Sequence, residues 1–178
     1  AFDLFQQLRP RPAPPDLPVR IIDIDEASLA AIGQWPWPRL DMARMAERLT
    51  ELGAAAVVFD VLFPEPDRLS PSALVAGGED YDARFEQALA AGPTVLVMSR
   101  VGAGRAAPGP KAGIAMTGVD PLAGLPLLDG VSAPLPLLSD AASGLGVASL
   151  GQDGAGVSRR LPLLWSNGGA PLPTLSVE

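Results

Sequence analysis

A chain of 178 residues with 48% hydrophobic content falls in the size range of one domain able to bury a single core. Its 13 Lys+Arg against 20 Asp+Glu give a net charge of -7, which repels a phosphate backbone or an anionic lipid surface, so nucleic acid is not an expected partner. Cys and His are both absent, which excludes thiol nucleophiles, disulfides, thiolate or imidazole metal ligands and the usual general base of neutral pH; any site must use carboxylates, arginines, hydroxyls and backbone, and no cofactor is expected.

Ala1 to Leu8, with Phe2, Leu4, Phe5 and Leu8, reads as a short helix, and Arg9 to Pro18, with five prolines, as an extended linker. Residues 1–16 are therefore expected to lead into a domain at 17–178. Val19 to Asp25 is a β-branched run that fits a buried strand, and Glu26 to Ile32 a short helix with Asp25 as its N-cap and Gly33 as its stop. After Trp35-Pro36-Trp37-Pro38, the apolar positions Leu40, Ala43, Ala46, Leu49 and Leu52 predict an amphipathic helix ending at Gly53. Ala55 to Leu62 reads as a second strand, Pro64 to Gly78 as an irregular excursion, Tyr81 to Ala91 as a helix and Thr94 to Ser99 as a third strand. Gly102 to Gly113, rich in Gly, Ala and Pro, reads as a loop, and Pro134 to Ala142 as a short helix. Leu145 to Leu150 and Val157 to Trp165 are expected to pair as an antiparallel hairpin around Asp153-Gly154.

The order β-α-β-α-β implies an α/β fold: a largely parallel central sheet with covering helices, closed by a C-terminal antiparallel hairpin. No run reaches the roughly 20 apolar residues that cross a bilayer. The chain starts at Ala1 without Met and stops at Glu178, just after Pro173 opens what reads as a helical start, Thr174 to Val177, so both ends read as cut from a longer protein.

Chemistry concentrates where the first two strands end. Asp23 and Asp25 close the first and Asp60 the second, and open α/β sheets bind ligands at that edge. Glu65 and Asp67 follow on the next loop and would add oxygen ligands for a hard cation. Each also has a structural reading: Asp25 as a helix cap, Asp23 and Asp60 as acceptors for loop amides or as partners of Arg39. Trp35 and Trp37, held extended by prolines, form either an aromatic wall for a ligand or partner subunit or a lid over the core. The ligand-binding candidates are thus Asp23, Asp25, Trp35, Trp37, Arg39, Asp60 and Glu65, with Asp23, Arg39 and Asp60 expected to form one cluster behind the tryptophan loop. An apolar strand ending Asp23-Ile24-Asp25 is also how haloacid dehalogenase phosphotransferases open, which keeps a metal-dependent phosphoesterase as the enzymatic alternative. The basic phosphate anchor and the later acidic pair of such enzymes have no counterpart in this sequence, so the site cannot be completed and catalysis is not expected. Gly102-Ala103-Gly104 and Gly144-Leu145-Gly146 lack the strand-to-helix context of a phosphate loop.

One combination is more specific. Ile22-Asp23-Ile24-Asp25-Glu26-Ala27-Ser28-Leu29 is followed by Gly33-Gln34-Trp35-Pro36-Trp37-Pro38-Arg39, by Gly53-Ala54, and by Phe59-Asp60-Val61-Leu62-Phe63-Pro64-Glu65-Pro66-Asp67. Phe85-Glu86-Gln87-Ala88-Leu89, Gly144-Leu145-Gly146 and Asp153 to Arg160 continue the series. In this order, over residues 17 to 178, the chain closely resembles the CHASE2 family of extracellular sensory domains associated with cyclases and histidine kinases. The resemblance implies the extracytoplasmic signal-sensing domain of a bacterial transmembrane receptor, on the periplasmic or extracellular side of the membrane. It further implies membrane helices outside this chain, a nucleotide cyclase, diguanylate cyclase or kinase output in the cytoplasm, and homodimerisation. It supplies no ligand, small-molecule or environmental. A dimerisation module that senses nothing is the other alternative.

Overall fold

The computed structural model describes residues 2–10, 12, 14, 16–118, 122–150, 158 and 160–178, in two compact units, Ala1–Pro36 and Trp37–Glu178.

The first unit carries two helices, α1 (Phe2–Leu8) and α2 (Glu26–Ile32). Asp25 caps α2 as expected, its Oδ1 accepting the Ser28 N–H at 2.8 Å and the Ser28 hydroxyl at 2.7 Å, and Gly33 ends the helix by donating to the Leu29 carbonyl. The strand expected at Val19 to Asp25 does not form. Ile21 is 90% exposed and Val19 and Ile22 are also exposed. Strand propensity is a preference for fitting a pleated, half-buried surface. The first unit offers no strand among its described residues to supply that surface.

In the second unit, α3 (Arg39–Glu51) leads to β1 (Val57–Phe59), and α4 (Tyr81–Ala90) leads to β2 (Thr94–Arg105). β3 (Val131–Ser132), α5 (Pro136–Ala141), β4 (Gly144–Val147), β5 (Leu164–Ser166) and β6 (Pro171–Pro173) complete the order. The α3 helix ends where expected: Gly53, at φ 87°, adopts a conformation open to glycine at no steric cost and donates to the Thr50 carbonyl at 3.0 Å. Its buried face differs, comprising Arg39, Met42, Ala43 and Ala46 while Leu52 is exposed. A strict three-residue spacing drifts by about 60° per step around a helix of 3.6 residues per turn. Leu40 and Leu52 therefore cannot share a face, whereas spacings of three and four keep Arg39, Met42, Ala43 and Ala46 together.

The sheet is mixed. β2 runs parallel to β1, Val57 to Phe59 opposite Thr94 to Leu96, and parallel to β4, Val95 to Met98 opposite Gly144 to Val147. Its far end is antiparallel to β3, with a register shift between Arg100 and Arg105, so β2 carries the chain four residues, 102–105, into the segment expected to be a Gly/Ala/Pro loop and bulges there. The aromatic core joins sheet to helix: Phe59 on β1, Phe63 just beyond it and Phe85 on α4 meet edge to face, with centroids 5.1 to 6.1 Å apart.

The C-terminal hairpin exists but lies one element further on. β4 is not a hairpin arm; all four residues are buried, as a parallel strand beside β2 requires. The turn foreseen at Asp153-Gly154 lies outside the described residues, and the described residues from Arg160 to Leu163 form no strand. The observed antiparallel pair is β5 with β6, a separate two-stranded sheet. Its loop is Asn167 to Ala170, where Asn167 Oδ1 accepts the N–H groups of Gly169 at 3.0 Å and Ala170 at 2.8 Å. The helical start expected at Thr174 is a single turn, with Val177 and Glu178 donating to the Thr174 carbonyl.

Leu175 explains the Gly144-Leu145-Gly146 motif. A Cβ on Gly146 would lie 2.8 Å from the Leu175 nitrogen and closer still to its Cα, whereas a Cβ on Gly144 would meet the flexible Glu178 side chain. Gly146→Ala is accordingly expected to destabilise the domain by about 1–3 kcal/mol, the usual range for overpacking, and Gly144→Ala by less. Denaturation midpoints of the two variants check the order, and equal losses would contradict it.

Candidate functional site: a buried arginine node

Arg39 opens α3, and everything around it follows from that position. The residue before it, Pro38, carries no side-chain acceptor for the orphan N–H groups of the first turn. Asp67, from the excursion after β1, takes that role: its Oδ2 accepts the Arg39 backbone N–H at 2.8 Å and its Oδ1 the Leu69 N–H at 2.9 Å. The carboxylate thus sits at the positive end of α3 and fixes its own loop at the same time. The Asp67 N–H in turn donates to Asp82 Oδ2, in the first turn of α4, at 2.8 Å. One acidic loop residue therefore bridges the N-termini of two helices.

The Arg39 side chain fills the space between them. Its Nε stands 3.5 Å from Asp82 Oδ1, its Nη2 donates to the Glu65 carbonyl at 3.3 Å, and its guanidinium carbon lies 4.4 Å from the centroid of the Phe63 ring. Arg39, Asp67 and Asp82 are 9%, 8% and 8% exposed, so these are buried charges. Although the ion pair is close, neither Arg39 Nε nor Asp82 Oδ1 has a hydrogen-bond partner. Burial dominates both titrations. It pushes the Asp82 carboxyl above its usual range against the pull of the Asp67 N–H and Arg39, and Asp67 and Asp80 repel in the same direction. It also lowers Arg39, against Asp82 and Asp67.

A second set of bonds holds the rest of the excursion. Ser70 accepts the Tyr81 N–H at 2.7 Å and donates to the Glu79 carbonyl at 3.2 Å, while Asp80 caps α4 through the N–H groups of Asp82 and Ala83. Beyond the node, α3 and α4 are joined by Arg84 and Glu47 at 3.2 Å, at the surface.

Of the residues singled out from sequence, the structure brings together Arg39, Asp67 and Glu65, the last through its backbone carbonyl and with its side chain exposed. The expected arginine-centred carboxylate cluster exists with other members: Asp67 and Asp82 stand where Asp23 and Asp60 were expected. Asp60 is exposed because β1 ends at Phe59 and the next residue turns out of the sheet. Asp23 is exposed in the first unit, in the segment that does not form a strand. Asp25 is occupied as the α2 cap, and the Ser28 N–H and hydroxyl hold its carboxyl below its usual range. Trp37 is buried and Trp35 half-buried. Among the described residues, no three acidic side chains are grouped to hold a metal ion. Sequence reasoning missed Asp82 because an acid in the first turn of a helix is ordinarily a solvated partner of the macrodipole. Asp67 was legible as a loop acid able to add an oxygen ligand for a cation, not as the cap of α3.

Elsewhere, Arg100 on β2 makes a two-pronged pair with Asp129 at 3.0 and 3.1 Å, and Arg105 donates to the Ala133 carbonyl at 2.9 Å; both fix the β2–β3 edge. Arg159 lies outside the described residues and Arg160 is exposed. A shallow crevice of about 250 Å³ beside Val147, Leu161 and Thr174 is smaller than the usual small-molecule pocket and contains none of the sequence candidates. Among the described residues, no helix is long and apolar enough to cross a membrane.

Comparison with known proteins adds one match. The family model described as CHASE2 domain covers residues 1–178, the whole chain. No curated protein matches the chain, and no solved structure does.

Proposed function

The chain belongs to the CHASE2 family, a sensor-domain rather than a catalytic family, and from that premise we propose that it is the extracytoplasmic sensing domain of a bacterial transmembrane receptor. The observation that carries this reading is the family match over residues 1–178, which supports a signal-sensing role. The chemistry agrees. A net charge of -7 suits neither nucleic acid nor an anionic membrane face, and the side chains at the node are engaged in holding two helices and a loop. In this reading residues 1–16 lead from a preceding membrane helix and 17–178 form the sensor. Further membrane helices carry its state to a cyclase, diguanylate cyclase or kinase output, and the receptor works as a homodimer.

The test of placement uses the absence of cysteine from this chain. Leu74 is 80% exposed. Leu74→Cys in the native protein in cells should be labelled by a membrane-impermeant maleimide before lysis. Labelling only after lysis would overturn the extracytoplasmic placement. A thermal-shift screen across metals and small metabolites would identify the input, since a ligand that binds only the folded state raises its stability by mass action.

A further inference from the structure

We propose that Asp82 is a proton-binding switch within the sensor, and that its neutralisation releases the Arg39 guanidinium and, with it, the Glu65 carbonyl in the loop after β1.

The geometry carries this. Asp82 and Arg39 face each other at 3.5 Å, both side chains 11% exposed, yet Asp82 Oδ1 and Arg39 Nε make no hydrogen bond. A carboxylate oxygen removed from water without a donor carries an uncompensated cost that a proton relieves. Its other oxygen accepts a backbone N–H, a bond that a neutral carboxyl retains in weaker form. Protonation at Oδ1 therefore removes the charge that holds the guanidinium while leaving the α4 contact in place.

The charged surroundings have the same consequence. α3 contributes one cation, Arg39; the excursion contributes Asp67, and the α4 cap contributes Asp80, both repelling Asp82. Arg68 on the excursion is exposed, and Arg84 on α4 is engaged by Glu47. β1, which meets α4 through Phe59 and Phe85, is Val-Val-Phe and carries no charge. α5, packed on α4, carries only Asp140, which is exposed. Two acids and one cation thus act on Asp82. With Asp82 neutral, the Arg39 guanidinium faces Asp67 alone and is free to reorient, which releases the Glu65 carbonyl it holds and changes the surroundings of the Asp67 carboxylate that accepts the Leu69 N–H.

The sign is opposite to that of ordinary acid denaturation. A carboxyl raised in the folded state binds its proton more tightly folded than unfolded. As pH falls through its folded value toward the ordinary 3.8, this group adds stability, so acid changes the node without unfolding the domain through it. This proposal rests on the sensor reading and names its input as acidity. The two fail separately, because the titration below can be absent in a true sensor of another input and present in a protein that is not a receptor.

The experiment is an NMR pH titration of the 178-residue chain, following the Asp82 carboxyl carbon, the Arg39 Nε–H and the Leu69 amide. All three should share one midpoint above the ordinary carboxylate range. In Asp82→Asn, the Arg39 and Leu69 signals should stay at their acid-limit positions throughout, while Glu47→Gln, which alters only the surface pair, should leave the titration unchanged. If Asp82→Asn does not fold, the wild-type titration still decides. An Asp82 midpoint at or below the ordinary range, or Arg39 and Leu69 signals that ignore it, would overturn the proposal.

Discussion

Arg39→Ala should lower the stability of the domain by about 3–5 kcal/mol, the cost of breaking a buried ion pair by removing one partner. The guanidinium is the cation that lies between Asp67 and Asp82, and it also covers the Phe63 ring. Deleting it leaves two carboxylates repelling each other away from water and opens space over an aromatic core. Denaturant unfolding with an unchanged slope is the measurement, so that the shift in midpoint reports stability alone. A loss under about 1 kcal/mol, typical of an exposed pair, would contradict the buried-node description. The paired change Arg39→Met with Asp82→Leu should recover most of the loss. It removes both desolvated charges and keeps the volume, a replacement that is often neutral or stabilising. Asp82→Asn combined with Arg39→Ala should likewise cost less than the sum of the single changes, because residues in one hydrogen-bond network are coupled.

Phe85→Ala should cost a similar amount, about 3–5 kcal/mol, for a different reason. Phe85 is fully buried and meets Phe59 at 5.4 Å and Phe63 at 5.1 Å, so truncation loses transfer energy, leaves a cavity and removes two edge-to-face contacts. Sheet and helix meet at this point, and the cavity would lie beside the ring that carries Arg39. Phe85→Leu should retain most of the stability, since volume-conserving apolar changes usually cost under about 1.5 kcal/mol. Equal losses for the two substitutions would mean that volume does not govern the site. In the same samples, the Asp82 titration is expected to shift toward the ordinary range in Phe85→Ala if water enters the cavity, because desolvation is the main cause of its displacement.

What the sequence determined by itself is local. The Asp25 cap, the stop at Gly53, the short helix at Pro136–Ala141 and the existence of α3 and α4 were legible, because each rests on chemistry within one turn of chain. Family membership was legible for a related reason, as a fixed order of short motifs needs no coordinates. Pairing was not. Val19 to Asp25 has strand propensity and no strand, and Gly144 to Val147 has a hairpin-like position yet joins β2 in parallel, because pairing depends on which edge is presented. The Asn167-Gly168 turn signal is present in the sequence, but so is an Asp-Gly signal earlier in the chain, and nothing local ranks one above the other. At the node, the sequence indicated that Arg39, at the head of its helix, would gather two carboxylates. Which two was decided by tertiary structure alone: Asp67 reaches back across 28 positions because Pro38 leaves a helix end uncapped, and Asp82 is buried because its helix packs its first turn against that same loop. Nothing local distinguishes such acids from solvated ones, since burial is a property of what the rest of the chain places around them.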